Sequence, residues 1–425
     1  MFLINIGHSW SFQSLSGADG VVLLPSKVSY ARLARESPDA RTILFDPQLY
    51  LSELDVDDCG KACTNLASYP YFGVRGVESY DSSVEKRNEW QSRMREVVRE
   101  GWTARAPVDE SEANEACENA IALQQDLHCS HVILPSPLLK EREDEAQTLG
   151  LWLDQGLETA QNLEVEEPLL ATIALSESVL SDIAFSELGF LDTIVDQVTA
   201  RDGIDGVYIV VAQSVSRHPF DSEESVCRCY AYLSKAFSEA GYEYVLVNFA
   251  DVFGLVCMGL GASGFATAQS HALRRLALPA FNETSGGRAY PHFYSHVSAS
   301  EFATESDLDR IRDARLLRRI RDITPVSQQL MATLASGGSA STLRAWAESS
   351  NNLNAAQTHF LTRVAREQAG LRNLDLGARQ EYVEDWLETA DATLLLIRQR
   401  LGRGNNLKGR SVPAESWIRI VNDIA

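Results

Sequence analysis

Three carboxylates stand where short aliphatic runs give way to polar residues. Asp46 closes TILFD (residues 42–46), Glu177 closes LLATIALSE (169–177), and Asp251 follows YVLVN (244–248) by three residues. Carboxylates in unlike surroundings can divide general-acid and general-base work, because burial keeps one protonated while a better solvated one stays ionised. Each also has an ordinary use. Asp46 precedes Pro47 and can start a turn, while Glu177 and Asp251 stand where helices begin and can cap them. Lys27 directly follows GVVLLPS (20–26) and is one of six lysines against 32 arginines. A lysine so placed can form an imine with a carbonyl compound or hold a phosphate, and it can equally be a solvated helix-start residue. These four are the candidate catalytic residues.

The other runs end in neutral polar groups. Ser136 closes HVILPS, Gln213 closes GVYIVVAQ, Asn248 closes YVLVN, and Gln269 closes SGFATAQ with His271 two residues on. With Gly286, Gly287 and Arg288 of NETSGGR (282–288) they are the candidate substrate-binding residues. The glycines would let backbone N–H groups approach a phosphate, and the arginine adds charge. His271, His292 and His296 could offer imidazole to a metal, but neither H-E-x-x-H nor H-x-H occurs, and no metal or cofactor is assigned. The seven cysteines form no C-x2-C pair, and their odd number at irregular spacing reads as reduced thiols.

Something must hold these residues at one face. Continuous apolar runs, as opposed to alternating ones, mark strands buried on both sides, the pattern of parallel sheets. Eight such runs are read: 20–26, 42–46, 131–136, 169–177, 206–213, 244–248, 263–269 and 290–295. Helical periodicity lies between them. In residues 222–240, Val226, Tyr230, Leu233 and Phe237 share one face, and Gly241 stands where the helix would stop. The expectation is an α/β fold, a (β/α)8 TIM-like barrel over residues 1–300, with its chemistry at the C-terminal ends of the strands. A doubly wound open sheet is the alternative, weakened because no G-x-G-x-x-G follows the first run. Residues 50–110, with Tyr69, Tyr71, Phe72 and Tyr80, are too long for a plain link and read as an insertion after strand 2, either a lid or a buttress. From 301 to 425 the pattern is helical and reads as a separate C-terminal domain. The face Val383, Trp386, Leu387, Ala390, Leu394, Leu395 is its clearest stripe.

Residues 248–275 resemble the strand–helix–strand of base-exchanging tRNA transglycosylase barrels. The resemblance covers 28 residues and is one of topology: where that family carries its nucleophilic aspartate this chain has Ala266, Thr267 and Ala268, and its cysteine-rich zinc site is absent. The function is therefore not carried over.

The formal net charge is −21, and it is unevenly placed: residues 1–300 hold 43 acids against 21 bases, residues 301–425 hold 16 against 17. Self-repulsion argues against a polyanion partner for the barrel, and no membrane partner is expected. Nucleic acid could be met only through the basic row Arg398, Arg400, Arg403, Lys408 and Arg410, which equally suits a solvated helix surface. Without a leader-like start or an apolar run long enough to span a bilayer, the expected location is cytoplasmic. The leading expectation is a barrel enzyme of hydrolase or lyase type, acting by acid–base chemistry on a small polar substrate, phosphorylated or not. The alternatives are a non-catalytic barrel scaffold that binds a protein through its helical C-terminal domain, and a nucleic-acid-acting barrel that shares only topology with the transglycosylases.

Overall fold

The computed structural model describes residues 1–6, 17–33, 40–78, 86–102, 110–141, 145–180, 189–214, 223–283, 289–402 and 407–425. Eight strands, β1 (Phe2–Ile6), β2 (Gly20–Leu23), β3 (Thr42–Phe45), β4 (Val132–Leu134), β5 (Leu169–Ser176), β6 (Gly206–Gln213), β7 (Tyr244–Asn248) and β8 (Gly264–Thr267), pair in parallel in the order 3-2-1-8-7-6-5-4. The seam between β3 and β4 is bridged by the Ser130 amide donating to the Ile43 carbonyl at 2.9 Å and the Ile43 amide donating to Ser130 Oγ at 3.1 Å. The result is a nearly closed (β/α)8-type barrel.

The period-2 geometry of a strand sorts the side chains. Leu3, Val22, Leu44, Leu170, Ala174, Tyr208, Val210, Ala212, Leu246 and Ala266 fill the interior. Their neighbours Phe2, Ile4, Val21, Phe45, Ile173, Ile209, Val245 and Phe265 face the surrounding helices. Those helices are α1 (Tyr30–Leu33), α2 (Val56–Ala67), α3 (Arg87–Gly101), α4 (Glu110–Asp126), α5 (Glu145–Asn162), α6 (Glu177–Leu180), α7 (Gly189–Thr199), α8 (Glu224–Glu239) and α9 (Phe253–Gly259).

The barrel register differs from the expected one by a strand. The opening segment FLINI is β1, and residues 290–295 are not in the barrel. A five-residue strand at a chain end has no preceding helix or turn signal to reveal it, so from sequence its apolar start invites comparison only with a leader. The insertion therefore follows the third barrel strand. Its residues Leu54, Val56, Cys59, Ala62, Cys63, Leu66 and Val98 join the interior cluster together with the post-strand residues Leu138, Phe249 and Leu276. It is packed over the mouth, and Tyr80 lies outside the described residues.

After β8 the chain crosses the mouth. A two-residue strand β9 (Leu276–Ala277) pairs with the end of β6. An antiparallel sheet of β10 (His292–Ser295), β11 (Ser300–Ala303) and β12 (Arg410–Ser411) then brings residues either side of position 300 beside the C-terminal stretch. The helical remainder, α10 (Leu308–Asp313), α11 (Gln328–Ala335), α12 (Asn354–Arg372), α13 (Leu376–Leu401) and α14 (Ala414–Ile424), folds back onto the barrel. Phe360, Val364, Val383, Trp386, Leu387 and Trp417 share one core with the outer faces of the strands and with α8 and α9. At Gly259 the approach of α13 is so close that a Cβ would meet Val383 Cγ2 at 2.9 Å. Among the described residues no helix is long and apolar enough to cross a membrane.

Candidate active site at the barrel mouth

Two polar clusters sit at the strand ends. The first lies on the barrel axis. Asp46, at the inward-facing position after β3, is fully buried and accepts three hydrogen bonds, from Tyr50 Oη at 2.6 Å, Tyr208 Oη at 3.0 Å and the Gln48 amide at 3.0 Å. Asn248 Nδ2 donates to Tyr208 Oη, and Asn5 Nδ2 donates to Asn248 Oδ1 at 2.7 Å. β1, β3, β6 and β7 are thus joined across the barrel by side chains alone. Burial pushes the Asp46 carboxyl up to about 6, against the pull of its donors. Gln48, held in the left-handed region at φ 52°, accepts the Ser26 amide on its Oε1 at 2.9 Å. The Gln48 side chain also bonds Tyr50, while Ser26 Oγ is buried without a partner among the described residues.

The second cluster is charged and lies beyond β7 and β8. Asp251 sits in the left-handed region at φ 49°, where aspartate is better tolerated than most residues, and its amide donates to the Arg274 carbonyl at 3.1 Å. It is therefore not an N-cap. Its side chain is 2% exposed, its carboxylate oxygens have no side-chain hydrogen-bond partner among the described residues, and the adjacent Val252 backbone N–H acts on them. Burial pushes this carboxyl up to about 7. Glu301 adds to the push, and Arg274 and Arg275 oppose it. Arg274 donates to Glu301 Oε1 at 2.7 Å and to the Ala268 carbonyl at 3.2 Å, and lies 3.4 Å from the centroid of the Phe360 ring. Arg275 donates to Gln213 Oε1 at 3.0 Å.

Glu301 also meets His271 Nε2 at 3.1 Å, and Arg410 Nη1 meets His271 Nδ1 at 2.9 Å. Arginine only donates, so His271 Nδ1 accepts and the ring proton lies on Nε2, toward Glu301. Burial would raise the Glu301 carboxyl, but Arg274 and then His271 hold it well below the usual carboxylate range. His292, stacked on Tyr290 and 5.5 Å from the His271 ring, is buried with both ring nitrogens unpaired among the described residues. Burial drives it down to about 4, so it is neutral at pH 7.

The anticipated residues therefore divide. Asp46 and Asn248 meet in the axial cluster, while Gln213, Asp251 and His271 meet in the charged one. Glu177 serves elsewhere: its Oε2 accepts both the amide and the hydroxyl of Ser214, tying the end of β5 to the end of β6. Ser136 Oγ donates to the neighbouring Pro137 carbonyl at 3.3 Å, Gln269 is half-buried after β8, and Gly286, Gly287 and Arg288 lie outside the described residues. Lys27 is half-buried at the end of β2 with its Nζ 4.4 Å from the centroid of the Phe281 ring.

His296 is apart from the other two histidines, stacked at 4.5 Å on Trp386 and facing Glu367. Among the described residues no group of three His, Cys, Asp or Glu is placed to hold a metal ion. Of the basic row, Arg398 bonds Ser411, Lys408 bonds Ser306, Arg410 belongs to the charged cluster, Arg400 is exposed, and Arg403 lies outside the described residues.

No protein-family model, no curated protein and no solved structure matches this chain.

Asn5, Tyr208, Arg274, Arg275 and Glu301 escaped sequence reasoning. Asn5 and Tyr208 are the polar-headed residues of otherwise aliphatic strands, FLINI and GVYIVVAQ, and that oddity is a usable signal. Adjacent arginines inside LRRLALP are another. Glu301 carries no local signal, since its partners are 27 and 30 residues away.

Proposed function

We propose that this barrel is an enzyme acting by acid–base chemistry on a small anionic substrate, with the reacting end at Asp251. One observation carries this reading: a buried carboxyl with no side-chain hydrogen-bond partner among the described residues, set beside two buried arginines at the end of the fold where the strands finish. A buried carboxyl ordinarily has side-chain partners, and one without them in a well-packed site is where a ligand or water belongs. A carboxyl near pKa 7 holds comparable amounts of acid and base at neutral pH, which is what proton transfer in both directions requires. In this reading Arg275 and Arg410 attract the substrate anion, and Arg274 is held by Glu301 as a fixed positive wall. His271, with its side chain 30% exposed, faces the solvent side. His292 offers a neutral ring that can donate from one nitrogen and accept at the other.

The test reads any chemical change in the substrate, whatever the product. Small carboxylates and phosphate esters are incubated with the protein in D2O and followed by proton NMR for consumption or for exchange of carbon-bound hydrogen. At least one compound should change with the wild type and change at least ~100-fold more slowly with Asp251→Asn, the usual scale of a lost acid–base group. If every compound that reacts does so equally well with Asp251→Asn, the assignment of Asp251 is wrong. If none reacts and none raises the melting temperature, the enzymatic reading fails.

A further inference from the structure

We propose that the axial cluster is the support on which the charged cluster is built, with Asn5 as the positioning residue: its carboxamide fixes the loop that carries Asp251 against the turn that carries Arg274. This role rests on the acid–base reading of Asp251 and deepens it.

The loop after β7 is held in an unfavourable shape. Phe249 at φ 58° and Asp251 at φ 49° are both left-handed. A residue as bulky as phenylalanine rarely adopts that region. Such residues persist only where the surroundings over-determine them, and they gather at functional sites. Here the determining residue is Asn248. Its Oδ1 accepts the Phe249 amide at 2.6 Å, and its carbonyl accepts Tyr230 Oη at 2.9 Å. The same hydroxyl accepts the Val211 amide at 2.9 Å, so the end of β7 is tied to β6.

Asn5 joins this loop to the other half of the site. It is the inward residue two positions after Leu3 in β1 and is 3% exposed. Its Nδ2 donates to Asn248 Oδ1 at 2.7 Å and to the Leu273 carbonyl at 3.3 Å, one bond for each of its two hydrogens. Leu273 ends the 3-10 turn His271–Leu273. The next carbonyl, that of Arg274, accepts the Asp251 amide at 3.1 Å. Two successive carbonyls after β8 are therefore tied to the loop after β7, one through Asn5 and one directly. Asn248 is steadied from the axis in turn, since its Nδ2 donates to the Tyr208 hydroxyl that bonds Asp46.

The arrangement has a chemical consequence. The Arg274 guanidinium goes to Glu301 and to the Ala268 carbonyl, and Asp251 is held beside it in a buried position. Without Asn5 the two links are free to part. Water then reaches the carboxyl, or the carboxyl moves toward Arg274, and both changes favour its ionised form.

Carbon-13 NMR of protein labelled at aspartate follows the Asp251 carboxyl through its titration, with Asp251→Asn assigning the signal. Asn5→Ala removes both side-chain bonds and should lower the Asp251 midpoint by about one pH unit, a tenfold change in its acid–base equilibrium. Thr172→Val is the control. Thr172 Oγ1 likewise donates a buried bond to a backbone carbonyl, that of Leu134, but it ties β5 to β4 and should leave the midpoint unchanged. An unchanged midpoint in Asn5→Ala overturns the proposal, as does an equal shift in Thr172→Val. Should Asn5→Ala not fold, hydrogen exchange in the wild type decides. The Phe249 and Asp251 amides should exchange at least ~1,000-fold more slowly than in an unfolded chain, the lower end of global unfolding constants. Exchange at the rate of an open loop overturns the proposal. None of these measurements needs a substrate, so a protein that turns nothing over can still pass them, and their failure leaves the acid–base role of Asp251 standing.

Discussion

Asp251 should make the protein less stable as pH rises toward neutrality. A carboxyl at 3.8 in the unfolded chain and about 7 in the native state means the folded protein holds the extra proton between these values. Because the native state binds more protons there, unfolding free energy falls as pH rises from about 4 to about 7 and levels off above. Three pKa units correspond to ~4 kcal/mol at most. The substitution Asp251→Asn keeps the shape and removes the titration. The variant should therefore gain on the wild type as pH rises, by ~2–4 kcal/mol between pH 5 and pH 8, with most of the gain complete by pH 7. Urea unfolding of both proteins at unit pH steps measures this directly. The gain should survive added salt, because a buried charge is poorly screened. A difference that stays flat from pH 5 to pH 8 would refute the reasoning, since it would mean that Asp251 is ionised at no cost. A variant less stable at pH 8 than at pH 5 relative to wild type would mean that the two arginines outweigh burial.

The Arg274–Glu301 pair, at 2% and 3% side-chain exposure, should be strongly coupled. Arg274→Met alone should cost ~3–5 kcal/mol, and the double variant with Glu301→Gln should cost clearly less than the two singles added. Chemical denaturation gives the cycle, and strict additivity would mean that the charges are not desolvated. Tyr208→Phe removes the hydroxyl that joins Asp46 to Asn248 and should cost ~1–3 kcal/mol by leaving a buried amide donor unpaired; a loss below ~0.5 kcal/mol in the same assay would show that the axial network is not continuous. His292, His296 and His359 are each lowered to about 4 by burial, so the unfolded chain binds protons that the native state refuses. Their contribution is complete above about 6.5 and lost as pH falls toward 4. Replacing His359 with Gln should flatten that acid limb by up to ~3 kcal/mol, and an unchanged limb would place its titration elsewhere.

The eight-strand barrel was legible because buried parallel strands write themselves as unbroken aliphatic runs, and β2 to β8 each did so. β1 was equally apolar but had no neighbouring helix to frame it, and residues 290–295 imitated a strand of the same sheet. The strand-end rule placed Asp46, Asn248, Gln213 and Asp251 at the mouth, because a parallel strand must end there. It could not say which of them meet. Asp46 and Asn248 are joined by Tyr208, a residue from the middle of a third strand. Glu177 obeyed the same rule and was drawn instead to Ser214. Position along a strand is local information, whereas the partner of a side chain is settled by the inward or outward phase of strands far apart in sequence.

The charged cluster is further from local information still, because it is assembled from two parts of the chain. Asp251, His271, Arg274 and Arg275 come from the last two barrel strands and their links. Glu301 and Arg410 arrive on β11 and β12, which pair across more than a hundred residues at Glu301 and Arg410. Without that sheet Arg274 would lose its carboxylate and His271 both of its partners. The same assembly qualifies what net charge implies. An excess of 22 acids in the first 300 residues sets the long-range field and opposes a polyanion, but Arg274 and Arg275 are buried in the mouth, 2% and 4% exposed. Interactions in a desolvated mouth are governed by charges a few ångströms away, in a medium where each counts for several times its value in water. A small anion drawn to that mouth is therefore compatible with a chain that repels large ones.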